Sequence, residues 1–165
     1  MEVSSGFPNV KGPVTIPAHT TATLLLDQSF LTNAYLTLAL KGGKESTVVL
    51  TYAESLYDEE GAKDNRNEIE GKSIQGRQDS IFSDGSPHQV FTTLNWRTYR
   101  YLEVKVETKG EALVLEDIHG TFTGYPFEKK ATFDAGSDEM DRILEIGLAD
   151  GPPVCGGYLH GLPIL

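Results

Sequence analysis

Apolar and polar residues alternate with a period of two from Thr21 to Thr123, in runs bounded by Gly, Asn, Asp and Pro. Side chains on an extended chain point alternately to opposite faces, so this pattern predicts an antiparallel sheet with one face in a core. The body of the protein is therefore expected to be all-β. At 165 residues the chain has room for one domain of ordinary size and a short appendage.

The individual runs can be placed. In Asn33 to Lys41, Leu36, Leu38 and Leu40 share one face while Tyr35, Thr37 and Ala39 share the other. A turn at Lys41-Gly42-Gly43-Lys44 then leads into Thr47 to Glu54, where Val48, Leu50 and Tyr52 lie together, and the two runs are expected to pair as a hairpin. A second hairpin is expected between Asp79 to Phe82 and Gln89 to Thr92, across the turn-forming Ser83-Asp84-Gly85-Ser86-Pro87. Thr98 to Glu107 is the longest run, with Arg100, Leu102, Val104 and Val106 on one face and Tyr99, Tyr101, Glu103 and Lys105 on the other. An inward Arg100 requires an acidic or carbonyl partner, and a buried ion pair between Glu54 and Arg100 is the first reading. Leu113 to Thr123 closes the set, with a bulge near Asp117 where the apolar phase shifts between Leu115 and Ile118. Seven or eight strands of this kind fold over into two layers, which predicts a jelly-roll type β-sandwich over residues 1–128.

Between the strands, Ser55 to Gly76 is long and polar with no apolar period, the kind of connection that carries binding sites. Its acidic cluster, Asp58, Glu59, Glu60 and Asp64, reads as a solvated loop, with calcium binding as the alternative. The formal net charge of −10, with no dense run among the 14 Lys and Arg, opposes nucleic-acid binding. A single cysteine, Cys155, builds neither a disulfide framework nor a zinc site. The four histidines, His19, His88, His119 and His160, lack metal-ligand spacing, and no serine sits in a Gly-x-Ser-x-Gly elbow. No catalytic residue, metal or cofactor is assigned on these grounds. No run of ~20 apolar residues predicts a membrane span, and Met1 to Val10 lacks the basic start and apolar stretch of a signal peptide.

Beyond Pro126 the pattern changes. Ala131 to Asp134 is expected to be a short strand or linker, and Ser137 to cap a helix whose first turn holds Asp138 and Glu139. Met140, Ile143, Leu144 and Gly147 carry its helical spacing. A helix so short is marginal alone and calls for packing against a further domain.

Several strings occur in a telling order: Tyr52-Ala53-Glu54, Asn65-Arg66, Asp79-Ser80-Ile81-Phe82, Thr98-Tyr99-Arg100-Tyr101-Leu102-Glu103-Val104, and Phe133 through Leu144. The order resembles the β-sandwich domain that precedes the catalytic barrel in bacterial α-L-rhamnosidases of glycoside hydrolase family 78. Phe82 stands where that family more often has tyrosine. The resemblance covers Asn33 to Gly147 and implies that residues 129–147 are a linker and the first helix of an (α/α)₆ barrel. It also implies a parent enzyme exported to a bacterial periplasm or surface, hydrolysing rhamnose-containing glycosides with inversion. Inversion uses two opposed carboxyls, and in the family these belong to the barrel, so this chain is expected to hydrolyse nothing alone.

Residues 148–165 have no helical period and carry three prolines and four glycines. Gly147 to Cys155 can be encoded by GGG CTG GCG GAC GGC CCG CCT GTG TGC, and loss of one G yields the string GWRTARLC. The same shift makes the remainder compatible with AAGTCMDCPYY, similar to a segment near the start of the family's barrel. The tail is accordingly expected to be an out-of-frame translation, with the missing barrel as the domain's natural partner.

Sugar sites combine an aromatic platform with a few fixed polar groups. The candidates for carbohydrate binding are Glu54, Asn65, Arg66, Asp79, Trp96 and Tyr99. Trp96 is open to two roles, packing in the core or between domains, and stacking on a sugar. Three readings of the whole follow: an accessory domain of a rhamnosidase, a carbohydrate-binding module, and a free-standing interaction protein. The first predicts an exposed apolar patch, the second a concave site with an exposed aromatic.

Overall fold

The computed structural model of the chain describes residues 12–124 and 136–150. Its strands are β1 (Val14–Ile16), β2 (Thr21–Gly42), β3 (Thr47–Ala53), β4 (Arg77–Phe82), β5 (Gln89–Thr92), β6 (Arg97–Glu107) and β7 (Leu113–Phe122), followed by helix α1 (Asp138–Asp150). All pairings are antiparallel, and the strands run in the order β1-β7-β2-β6-β3-β4, with β5 also pairing with β2. The fold is an all-β sandwich with a short C-terminal helix.

The 22-residue β2 explains how one ladder makes two layers. Its first half pairs with β6 from Thr21↔Glu107 to Asp27↔Tyr101. Its second half pairs with β7 from Ala34 to Gly42 on one side, and on the other with the start of β6 over Thr32 to Ala34 and with β5 over Thr37 to Leu40. Between the halves the register breaks from Asp27 to Thr32, and Ser29 takes φ 70° there. Such a break bends a strand and raises its twist, which lets β2 pass from the layer β2-β6-β3-β4 to the layer β5-β2-β7-β1. The even-numbered apolar residues of both halves, Leu24, Leu26, Leu36, Leu38 and Leu40, join Val48, Leu50, Val104, Val106, Leu113 and Leu115 in one buried cluster.

Both expected hairpins are corrected by this arrangement. The second half of β2 does not pair with β3, nor β4 with β5; each connection crosses between layers instead. Alternation fixes which face a residue shows but says nothing of which strand lies beside it, and two apolar faces can meet across a core as well as within a sheet. The corner is still tightly tied. The Glu45 amide donates to the Ser83 carbonyl (3.0 Å), the Ser83 amide to the Ser46 carbonyl (2.9 Å), and the Gly42 amide to the Ser86 carbonyl (2.9 Å). Gly43 makes the turn with φ 66°, and a Cβ there would lie 2.4 Å from Leu113 Cδ1. The bulge near Asp117 is present: Ala39 faces Asp117 while Leu40 faces Leu115, leaving Glu116 as the extra residue.

The run read from the sequence as Asn33 to Lys41 is thus the back half of a strand twice as long, and β1 lay outside the alternating span. Ser137 stands at the cap of α1, its carbonyl accepting from the amides of Met140 and Asp141. The helix continues through Leu148, Ala149 and Asp150, part of the tail read as lacking helical period. Ala131 to Asp134 and residues 151–165 lie outside the described residues.

Candidate functional site

Strand order brings β6, β3 and β4 side by side, and the ends of these strands carry the chemistry. Arg97, at the start of β6, reaches over the Tyr52 ring, its Cζ 5.7 Å from the ring centroid. It then grips Asp79 on β4 with both ends of its guanidinium, Nη2 to Oδ1 at 2.6 Å and Nε to Oδ2 at 3.2 Å. The pair therefore bridges the two neighbours of β3. Beneath it, the Tyr52 and Tyr99 rings meet edge to face, with centroids 5.5 Å apart.

Burial first, and the Asp79 carboxylate second, push the Tyr52 hydroxyl far above the ordinary phenol pKa. That hydroxyl is buried and, among the described residues, makes no hydrogen bond of ordinary geometry, although Asp79 is close enough to act on it electrostatically. Burial alone pushes Tyr99 up to about 12. Both phenols stay neutral at physiological pH and supply a rigid floor.

Over this floor opens a cleft of about 740 Å³, lined from three directions. Tyr52, Ala53 and Glu54 come from the end of β3. Tyr57, Lys63, Gln75, Gly76 and Arg77 come from the connection 55–76 and the first residue of β4. Asn95, Trp96, Arg97 and Thr98 come from the approach to β6. Its volume falls within the usual range for small-ligand sites. Trp96 is 52% exposed on the rim.

The connection 55–76 is ordered by its own polar groups. Asp58 Oδ1 accepts from the amides of Glu60 (3.0 Å) and Ala62 (2.8 Å), and Tyr57 bridges to both Lys63 and Ser73. Asn65 Oδ1 accepts from the Asn67 amide, and Lys72 Nζ donates to the Asn65 carbonyl (3.1 Å). Among the described residues no group of three acidic, His or Cys side chains is placed to hold a metal ion.

A second arginine fastens this connection to the sandwich. Arg100 donates from Nε and Nη2 to both carboxylate oxygens of Asp27 (2.8 and 2.9 Å), and from Nη1 to Asn67 Oδ1 (2.7 Å). The Tyr101 hydroxyl donates to the Arg66 carbonyl. Burial by itself would raise the Asp27 pKa. The Arg100 hydrogen bonds, the Ser29 amide and the Arg100 charge outweigh it, and the carboxyl ends below the ordinary carboxylate value.

The sequence-selected residues thus separate into groups. Glu54 and Trp96 line the cleft; Asp79 and Tyr99 lie behind it, holding Arg97 and Tyr52. Asn65 and Arg66 are exposed on the connection and do not line the cleft; the Arg66 backbone carbonyl serves as an anchor point. The ion pair expected between Glu54 and Arg100 is corrected. Arg100 pairs with Asp27, which the β2 break turns toward it, while Glu54 is exposed at the strand end. Sequence reasoning missed Tyr52, Tyr57, Lys63, Gln75, Arg77 and Arg97 as cleft residues. Arg97 was within reach as the neighbour of Trp96, whereas the place of Lys63 depends on how the connection folds back.

No protein-family profile matches the chain, and no curated protein matches it. Among solved structures it is similar to the GH78 family rhamnosidase of Bacillus sp. GL1, with a TM-score of 0.64 at 14% sequence identity. The similarity covers 86% of this chain and 15% of that one. It is a likeness of fold, and the chain spans about 15% of its neighbour's length. Among the described residues no helix is long and apolar enough to cross a membrane.

Proposed function

We propose that this chain is a non-catalytic accessory β-sandwich of a rhamnosidase-like glycoside hydrolase, supporting a catalytic (α/α)₆ barrel that acts on rhamnose-containing glycosides. The observation that carries the reading is that most of this chain superposes on about a seventh of a rhamnosidase. Two features support it. Leu94 is 93% and Phe82 75% exposed, and Met140 and Ile143 on α1 are also exposed, as befits surfaces that a larger body covers. Glycoside inversion needs two carboxyls ~6.5–9.5 Å apart across the sugar. Among the described residues Glu54 is the one carboxylate lining the cleft, since Asp79 is held behind Arg97.

An assay of the purified chain on aryl α-L-rhamnosides, beside a complete rhamnosidase as positive control, should release no rhamnose. Turnover above the uncatalysed rate would sink the proposal.

The cleft itself favours a second role for the same domain, glycan binding. An exposed indole beside fixed polar groups in a concavity is the arrangement that sugar recognition uses. Glu54 and Trp96 are its contact residues, and Asp79 and Tyr99 position their neighbours.

A further inference from the structure

We infer that the cleft at the ends of β3, β4 and β6 takes an acidic saccharide, a glycan carrying uronate carboxylates, through Lys63 and Arg77. The inference rests on the glycan-binding reading and adds the charge of the ligand to it. Over the whole chain acids outnumber bases, 24 to 14. Along the cleft the balance among the described residues reverses: Lys63, Arg77 and Arg97 face a single acid, Glu54. Arg97 is neutralised by Asp79, which leaves Lys63 and Arg77 against Glu54.

Neither of these two cations has a carboxylate partner among the described residues. Both are exposed, and Lys63 Nζ lies 5.4 Å from the Tyr57 ring centroid, so the aromatic face steadies the ammonium without quenching its charge. Arg77 enters from β4 and Lys63 from the connection, so the cations approach from different elements. A planar guanidinium suits a carboxylate in two-point contact, and an ammonium adds a point charge beside it. Trp96 offers an apolar face to a pyranose ring, and Glu54, Gln75 and Asn95 offer hydrogen bonds to hydroxyls. An overall negative protein repels polyanions at long range, so an acidic ligand is held only where the local field is reversed. The cleft is such a place.

Trp96 is the only tryptophan of the chain, which makes its fluorescence a reporter of the cleft alone. The test titrates the intact chain at low salt with an oligogalacturonate and with the same oligomer after its carboxyls are reduced to alcohols. The uronate should bind roughly tenfold more tightly, as loss of one charge-assisted contact implies. Its advantage should shrink as salt is raised. Arg77→Gln and Lys63→Gln should each erase most of the preference without unfolding the domain, while Lys105→Gln, on the exposed face of β6, should leave it intact.

Equal affinity for both oligomers would overturn the acidic specificity and leave glycan binding standing. No binding of either would overturn both. Preference unchanged in Arg77→Gln and Lys63→Gln would also overturn the assignment.

Discussion

Two arginines three positions apart on β6 each hold an aspartate with both ends of the guanidinium, yet the two pairs do different work. Arg100 and Asp27 are each about 10% exposed at the side chain, and their partners are the broken middle of β2 and Asn67 of the connection 55–76. Arg97 and Asp79 are 14% and 20% exposed; Arg97 lines the cleft, and Asp79 holds it from behind. The same chemistry serves first as a lock on backbone geometry and then as a scaffold for a surface. Burial and the neighbouring elements make the difference, because a charge cut off from water must keep its partner while one near water can exchange it.

Breaking the inner pair should have the largest effect. Asp27→Ala leaves Arg100 charged and unpaired, and should cost about 3 kcal/mol in urea unfolding, with the 55–76 connection becoming the first site of proteolysis. Loss below about 1 kcal/mol would mean that the pair is ornamental. Next comes Gly76→Ala, since a Cβ there would lie 1.8 Å from the Tyr52 carbonyl oxygen. Strand β4 would have to part from β3, and roughly 2 kcal/mol should be lost together with the shape of the cleft.

The inner pair should also show in acid. The folded pKa of Asp27 lies below the ordinary value, so the unfolded chain binds its proton more readily. The stability it contributes is whole above pH about 4, the unfolded value, and is lost as pH falls through the folded pKa. Asp27→Asn should flatten this part of an acid unfolding curve.

Arg97→Ala should be milder, about 1 kcal/mol, because water reaches Asp79 in its place. Its sharper consequence is on the cleft, where the Asp79 charge, no longer masked, should weaken acidic ligands further. Trp96→Ala should change stability by no more than about 0.5 kcal/mol while abolishing glycan binding. A stability loss as large as that of Asp27→Ala would instead make Trp96 a packing residue.

Much of the fold was legible in the alternation. Leu36, Leu38 and Leu40 faced inward as read, as did Leu102, Val104 and Val106, because strand geometry turns successive side chains to opposite faces; Tyr99 and Tyr101, on the other face of β6, are buried as well. The Glu116 bulge was legible too, since a phase shift in an apolar pattern is the direct trace of an extra residue. Pairing was not. The hairpins expected for Asn33 to Glu54 and Asp79 to Thr92 gave way to crossings between layers, because partner choice depends on how β2 bends at residues 27–32. The cleft was half legible. Trp96 and Glu54 stood out as an aromatic and a charged residue at strand ends, but Asp79 and Tyr99 lie behind the cleft, Asn65 and Arg66 belong to the fastening of the connection, and Lys63 gave no signal.

Taken by itself, the order of residues determined that residues 12–124 are built of antiparallel strands with an apolar face turned to a core, since periodicity is a local property of each strand. Only the tertiary structure decided that Arg100 belongs to Asp27, that Arg97 spans β3 to reach Asp79, and that Lys63 and Arg77 stand over the same cleft. Those are distances between residues far apart in the chain, and they are set by how the layers cross and by where a long polar connection is pinned, neither of which is written in the alternation of any one strand.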